Sequence, residues 1–529
     1  MSNKTDATKP ESSVQPRLAK AVSLHLEGNR EEALAELNAA IEGGERGAEV
    51  WAAKGHVLFE LGRYEEATEA YTELLALAPD HSTAEFNLGI CYEKQGDWEQ
   101  AAQHFEKSLQ QDPSRLEANL GLGICLLRQE KPEPAIKCFD AVLGSQPEHE
   151  TAQFGKAVSL QLLWKFDEAT NLYTGILEKN PQSEECLVNL ITIGMARKDY
   201  ESIMKHAERL LEIRPHSQAA LEGLATCAFN SGDFEAAARY CEKLVEFTPD
   251  HFERWFNLGV AQQKSGKLQE AAKAYREAVR VRPDAKQAYV NLGIVQQELK
   301  DLASARESYE AALKIAPDLG DVIYNLASVL EEQQDWEGAE KLYEKLVARN
   351  PDWEDAWFRL GYLRLQRGDN RSAAEAFQTC LAKRSPWPEA QLNLGLAQWK
   401  LNNLEEASKA FQSVLDADGS SIDALRGLAA LAVQQEDLDN ALDLQAKLIE
   451  SGERTPELFY NTGLLLQKAG NLEDAIKLYQ EALTERPDFA EALLNLGHAL
   501  KTKGEVDEAR SCWKQALEHK PELAAGYFQ

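Results

Sequence analysis

Apolar residues along this chain fall at helical spacing in pairs of short amphipathic stretches, and the pairs recur every 34 residues. Residues 48–81, AEVWAAKGHVLFELGRYEEATEAYTELLALAPDH, show the unit. Trp51, Val57, Leu58 and Leu61 mark one helical face that runs to Gly62. A second face begins near Tyr64 and carries Ala67, Tyr71, Leu74 and Leu75 to Pro79. Gly62 can adopt a left-handed turn, and Pro79 cannot continue a helix. The pattern predicts a helical hairpin. Gly55 and Ala67 read as small because two helices crossing closely leave no room for a branched side chain, with Tyr71 filling the space behind the crossing.

The phase holds through the chain. Small residues return from Gly55 and Gly89 to Gly463 and Gly497, alanines from Ala67 and Ala101 to Ala475 and Ala509, and prolines from Pro79 to Pro521. Fifteen repeats begin at residues 14, 48, 82, 116, 150, 184, 218, 252, 286, 320, 354, 388, 422, 456 and 490. Within each, small residues at positions 8 and 20, an aromatic at 24 and Pro at 32 resemble the tetratricopeptide repeat. That resemblance implies an all-α, right-handed solenoid whose first helices line a concave groove. The expectation is about 30 helices and no sheet, with an array over 14–523, a disordered tail over 1–13 and the start of an incomplete helix over 524–529. Repeat 6 departs from the pattern: Ile191 and Ile203 stand at the two small positions, Ala207 at the aromatic one, and Gly194 where a larger core residue is usual. Bulk added at the crossing and removed behind it predicts a wider helix pair and a joint at 184–217.

Composition narrows the function. A net charge of −30 over 529 residues argues against nucleic acid and leaves solubility, with a preference for neutral or basic polypeptides, as its reading. Residues 1–13 lack the apolar stretch of a signal peptide, and no apolar run is long enough for a bilayer, so a cytoplasmic protein without membrane insertion is expected. None of the eight cysteines forms a C-x-x-C pair, and Cys91, Cys125 and Cys227 share position 10, which suits buried reduced thiols. The histidines show no metal-ligand spacing, and neither a phosphate-binding loop nor a nucleophile elbow is present, so no metal, cofactor or catalytic residue is expected.

In each first helix positions 4, 7, 8 and 11 form the expected core stripe, and positions 2, 6, 9 and 13 form a second stripe beside it. By the resemblance the second stripe faces the groove. Position 6 is Asn at Asn87, Asn189, Asn257, Asn291, Asn325, Asn393, Asn461 and Asn495. A carboxamide both donates and accepts, so it can pair with any peptide backbone. The series is similar to the asparagine ladder in the repeat arm of O-linked N-acetylglucosamine transferases, which implies capture of an extended polypeptide. A purely structural role, Asn tying helix to helix, is the competing reading. Acidic residues at position 2, from Glu49 to Glu491, would make one groove edge negative and suit a basic or amphipathic segment. Arg359, Tyr362, Arg364, Trp387 and Trp399 form a candidate anchor cluster in repeats 10–12, with Trp399 the one expected at the surface. The carboxylate clamp of chaperone-binding repeat domains is not matched: no repeat has Lys at position 5, and Arg359 at position 6 is accompanied by Asp355 at position 2. The leading expectation is a non-catalytic scaffold for protein or peptide partners. The alternatives are a substrate-recruiting arm of a glycosyltransferase-type enzyme and self-association through the array ends.

Overall fold

The computed structural model describes residues 16–528; the tail at 1–13 and the start of repeat 1 lie outside the described residues. Among the described residues the chain forms 30 α-helices and one 3-10 helix, Pro521–Phe528, with no strand. The helix expected to begin at 524 is part of that 3-10 segment. The helices pair into 15 hairpins, from Pro16–Leu26 with Arg30–Glu42 to Ala490–Lys503 with Val506–His519. This is an all-α helical-hairpin solenoid. It divides into two compact units, Met1–Ser265 and Gly266–Gln529. In each unit helices adjacent in sequence pack together, and first helices of several successive repeats also meet. No helix of the described residues is long and apolar enough to cross a membrane.

Local chemistry sets the ends of the helices. The turn inside each hairpin is left-handed at position 15, as at Gly62 (φ 73°) and Gly96 (φ 80°). Trp164 (φ 61°) and Lys198 (φ 56°) adopt the same turn despite their side chains, a conformation costing L-residues roughly 1–2 kcal/mol. Aspartate often follows: the Asp97 and Asp233 carboxylates accept the N–H groups of Gln100 and Ala236 at 3.0 and 2.9 Å and cap the second helix.

The ring at position 24 organises the core. Tyr71, Phe105, Phe139, Tyr173, Tyr275, Tyr309, Tyr343, Phe377 and Tyr479 are all almost fully buried. Glycines at position 8 lie against the ring of their own repeat: a Cβ added at Gly55 would stand 2.6 Å from Tyr71, one at Gly89 2.6 Å from Phe105, and Gly123, Gly293, Gly361, Gly395, Gly463 and Gly497 are placed alike. Where the next repeat has Gly at position 6, the ring's far edge abuts it too, so a Cβ at Gly121 would meet Phe105 at 2.7 Å. The small residue at position 8 thus makes room for a ring, a more specific cause than the closeness of two helices. The core stripe is also broader than the periodicity suggested, because positions 3 and 10 are buried in every repeat from the second onward.

Repeat 6 solves the same packing problem differently. Ile191 and Ile203 are fully buried, and the ring's place is taken by their branches. Ile203 approaches the Cβ position of Gly194 at 2.8 Å, and the two isoleucines approach that of Gly223 at 2.9 and 3.0 Å. Gly194 is therefore the complement of Ile203.

These contacts predict opposite effects for two formally identical substitutions. Gly89→Ala should destabilise the chain by about 1–3 kcal/mol, since Phe105 cannot retreat into a filled core. Gly175→Ala, where an added Cβ meets nothing within 4 Å, should stabilise its helix by about 0.5–1 kcal/mol. Urea-unfolding midpoints of the two variants decide between these signs.

Candidate polypeptide-binding surface

The eight asparagines at position 6 fall into groups set by the ring before them. Asn87 donates to the Tyr71 hydroxyl at 3.1 Å and Asn291 to that of Tyr275 at 3.3 Å, in each case the position 24 tyrosine of the preceding repeat. Beside Asn325 the Tyr309 hydroxyl donates to Gln297 at 3.1 Å. Asn495 donates to the Tyr460 hydroxyl and to the Glu491 carbonyl, both at 3.0 Å, and Asn393 to the Glu389 carbonyl at 2.7 Å. Asn189 is half-buried without such a bond, the Tyr173 hydroxyl donating instead to Gln161 at 3.0 Å. Asn257 and Asn461 are exposed and carry no side-chain hydrogen bond. Their preceding repeats have Cys241 and Gln445 where a phenol would stand. Burial pushes the buried phenols up, Tyr275 to about 12, so they remain protonated partners.

This coupling is written in the sequence but shows only when adjacent repeats are compared. Tyr71, Tyr173, Tyr275, Tyr309 and Tyr479 are each followed 16 residues later by Asn and Tyr343 by Arg359, whereas Phe105, Phe139 and Phe411 are followed by Gly and Phe377 by Asn393.

Open clefts adjoin three of the asparagines. Asn189 lines one of about 320 Å³ with Phe154 and Arg214. Asn393 lines one of about 530 Å³ with Leu392, Trp399 and Arg426. Asn461 lines another of about 530 Å³, which shares Arg426 and Ala430 with the last. Both larger clefts lie within repeats 12–14.

The five anchor residues occupy separate environments. Arg364 bonds Glu340 and Glu344 of the preceding repeat at 3.2 and 2.7 Å, and Arg359 lies 3.7 Å from Glu331. Tyr362 is half-buried against the core of repeats 11–12. Trp387 stacks on Phe358 at 4.8 Å, an arrangement repeated by Trp353 on Tyr324, while Phe489 meets Tyr460 at a 50° tilt. Trp399, expected at the surface, is half-buried, and its indole N–H donates to Gln434 at 2.7 Å. It alone of the five lines a large cleft.

Two tetratricopeptide-repeat family models together match residues 18–157, 194–456 and 466–527. The chain belongs to the tetratricopeptide repeat family. Among curated protein sequences none matches it significantly. Solved structures similar to it include YrrB, described as a tetratricopeptide protein with an unusual peptide-binding site, at 22% identity over 36% of this chain and 98% of that one, with a TM-score of 0.33. Naa15/Naa10 bound to HypK-THB matches at 14% identity over 97% of this chain and 95% of that one (TM-score 0.34). The anaphase-promoting complex tetramer Cut9–Hcn1 matches at 15% identity over 86% and 96% (TM-score 0.30).

On this tetratricopeptide array the acidic stripe at position 2 is partly neutralised from within. Asp355 and Glu491 pair with Arg384 and Lys520 of their own repeats at 3.4 and 2.7 Å, and Glu457 pairs with Arg486. Glu49, Glu117, Glu185, Asp321 and Glu389 stay exposed without an ion-pair partner. Among the described residues one set of metal-type donors comes together across neighbouring repeats, His25, His56 and Glu60, which no sequence spacing signalled. The Arg30 guanidinium already holds Glu60 at 2.6 Å, so a cation occupies that carboxylate. All eight cysteines are free, and burial pushes their thiols up, Cys125 and Cys241 to about 12.

The groups of asparagines predict unequal stability effects. Asn291→Ala should cost about 1 kcal/mol by leaving the Tyr275 hydroxyl without its donor. Asn461→Ala should stay within about 0.5 kcal/mol. Urea unfolding of both variants gives the comparison.

Proposed function

We propose that this tetratricopeptide protein is a non-catalytic scaffold that binds a polypeptide along the stripe of its first helices. One observation carries the reading: the large clefts of repeats 12–14 are lined by Asn393, Asn461 and Trp399, amide and aromatic groups of the kind that hold a peptide backbone and an apolar side chain. Stacked repeats favour this use because they create an extended surface from few residue types. The unpaired acids at position 2 bias the partner towards a basic or amphipathic segment. The asparagines divide between tasks: those bonded to tyrosines hold repeats together, while those without a tyrosine partner, Asn393 and Asn461 among them, face the ligand. Repeat 6, with its isoleucine packing, is the proposed joint, and faster amide exchange over 184–217 than over neighbouring repeats would reveal it.

The test begins with short random peptides selected on the immobilised full chain. For the best binder, the double variant Asn393→Ala/Asn461→Ala should weaken binding by roughly tenfold, and Trp399→Ala by about 1–4 kcal/mol, with helical circular dichroism unchanged. Affinity should also fall as salt rises, since exposed carboxylates are screened. Unchanged affinity in both variants would move the ligand away from this surface.

A further inference from the structure

Repeat 13 lacks every ring that fills the corresponding space elsewhere. In repeats 3, 5, 10, 11 and 14 the aromatic at position 5 packs on the ring at position 24, with centroids 5.6–6.0 Å apart as in Tyr324–Tyr343 and Tyr460–Tyr479. In repeats 10, 11 and 14 an aromatic at position 34 packs on the position 5 ring as well. Repeat 13 has Arg426, Gln445 and Thr455 at these three places.

Two other repeats without these rings refill the space from their own chain. Ile191 and Ile203 do so in repeat 6. In repeat 7, where Glu222 and Cys241 replace the rings, Arg254 of the following repeat enters, becomes 9% exposed and bonds Glu222 at 2.7 Å. Nothing comparable happens in repeat 13. Glu453 and Asp423 draw Arg426 aside at 2.6 and 3.3 Å, and Leu458 stands where Arg254 stood. The space stays open as the cleft of about 530 Å³ beside Asn461. Gln445 lines it, is only 7% exposed, and its Oε1 is buried without a protein partner. A buried amide oxygen left unpaired is destabilising, so the cleft suits an occupant that donates a hydrogen bond.

We propose that this cleft receives a tyrosine side chain from the bound polypeptide, an inference that rests on the polypeptide-binding reading above. The array supplies the template. In repeats 2 and 8 its own tyrosine fills the equivalent space and takes a hydrogen bond from the asparagine of the next repeat. In repeats 5, 9 and 14 the tyrosine hydroxyl donates to a glutamine oxygen, at 3.0, 3.1 and 2.8 Å. The repeat 13 cleft keeps Asn461 as donor; the position 12 acceptor is replaced by Val433, and the buried Oε1 of Gln445, at the ring's own position, offers an acceptor instead. Ala429, Leu448 and Leu465 give apolar walls, and the Arg426 guanidinium favours an aromatic face over an alkyl chain.

The experiment uses the full chain and two kinds of probe. In saturation-transfer titrations N-acetyltyrosinamide should bind about fivefold more tightly than N-acetylphenylalaninamide, the worth of roughly one hydrogen bond, and N-acetylleucinamide more weakly still. Gln445→Tyr restores the array's own ring; it should keep or raise the unfolding midpoint and lower affinity for the tyrosine probe at least about tenfold. Gln445→Leu should equalise the tyrosine and phenylalanine probes. Tyrosine binding that survives Gln445→Tyr, or no preference over the leucine probe, would overturn the proposal. The random-peptide selection separates the two readings. Selected peptides that bind without a tyrosine and ignore Gln445→Tyr refute the subsite while the scaffold stands. A tyrosine probe that binds as expected while no peptide binds upholds the subsite and removes the scaffold reading.

Discussion

The array depends on the seating of one aromatic ring between two repeats. The position 24 ring rests on a small residue of its own hairpin and reaches the first helix of the next, so one side chain joins intra-repeat to inter-repeat packing. Each such ring removes a large apolar area from water, worth about 1.5–3 kcal/mol for a fully buried phenylalanine. It also fixes what may stand opposite it. The phenyl edges of Phe105, Phe139 and Phe411 abut glycine, while the hydroxyls of Tyr71 and Tyr275 take a donor that reaches across the helix interface.

That demand explains why an asparagine series shaped like a ligand ladder is not uniform. Asn87 and Asn291 are committed to Tyr71 and Tyr275, whereas Asn257 and Asn461 follow repeats with no phenol and keep their amides free. Polar groups on a solenoid surface therefore acquire their role from the repeat before them. The charged residues behave alike: acids at position 2 are quenched by a basic residue at position 31 at Asp355, Glu457 and Glu491, and stay unpaired at Glu117, at Asp321 and at Glu185, whose Arg214 turns to Glu184 instead. A surface with one repeating formula becomes a surface with local character.

Most of the fold could be read from the 34-residue phase, because helix boundaries follow residues whose chemistry acts locally: the left-handed turn at Gly62, the cap at Asp97, the stop at Pro79. The burial of position 10 is legible at Cys91, Cys125 and Cys227, whereas that of position 3 is not, since a short side chain such as Ala118 leaves little mark on an amphipathic pattern. Site residues were less legible. Trp387 looked like an anchor by type, yet its place in a stack on Phe358 depends on a contact that periodicity does not encode. Gln445 drew no notice, because a glutamine in a helix is unremarkable until its neighbours are seen to have lost their rings. The link between Tyr71 and Asn87 was present as a 16-residue spacing, hidden by reading each repeat by itself.

The same link gives the array a grammar for growth. Whole repeats can be duplicated or lost without shifting the 34-residue phase, but the new neighbours must still agree. Excising residues 286–319 would bring Tyr275 against Asn325 and preserve a matched pair. Excising 82–115 would set Tyr71 against Gly121, leaving a buried hydroxyl opposite a residue with no side chain to answer it. Junctions, rather than repeats, are thus the units on which rearrangement is accepted or rejected, and lineages built from this module should change length most readily where a tyrosine junction follows a tyrosine junction.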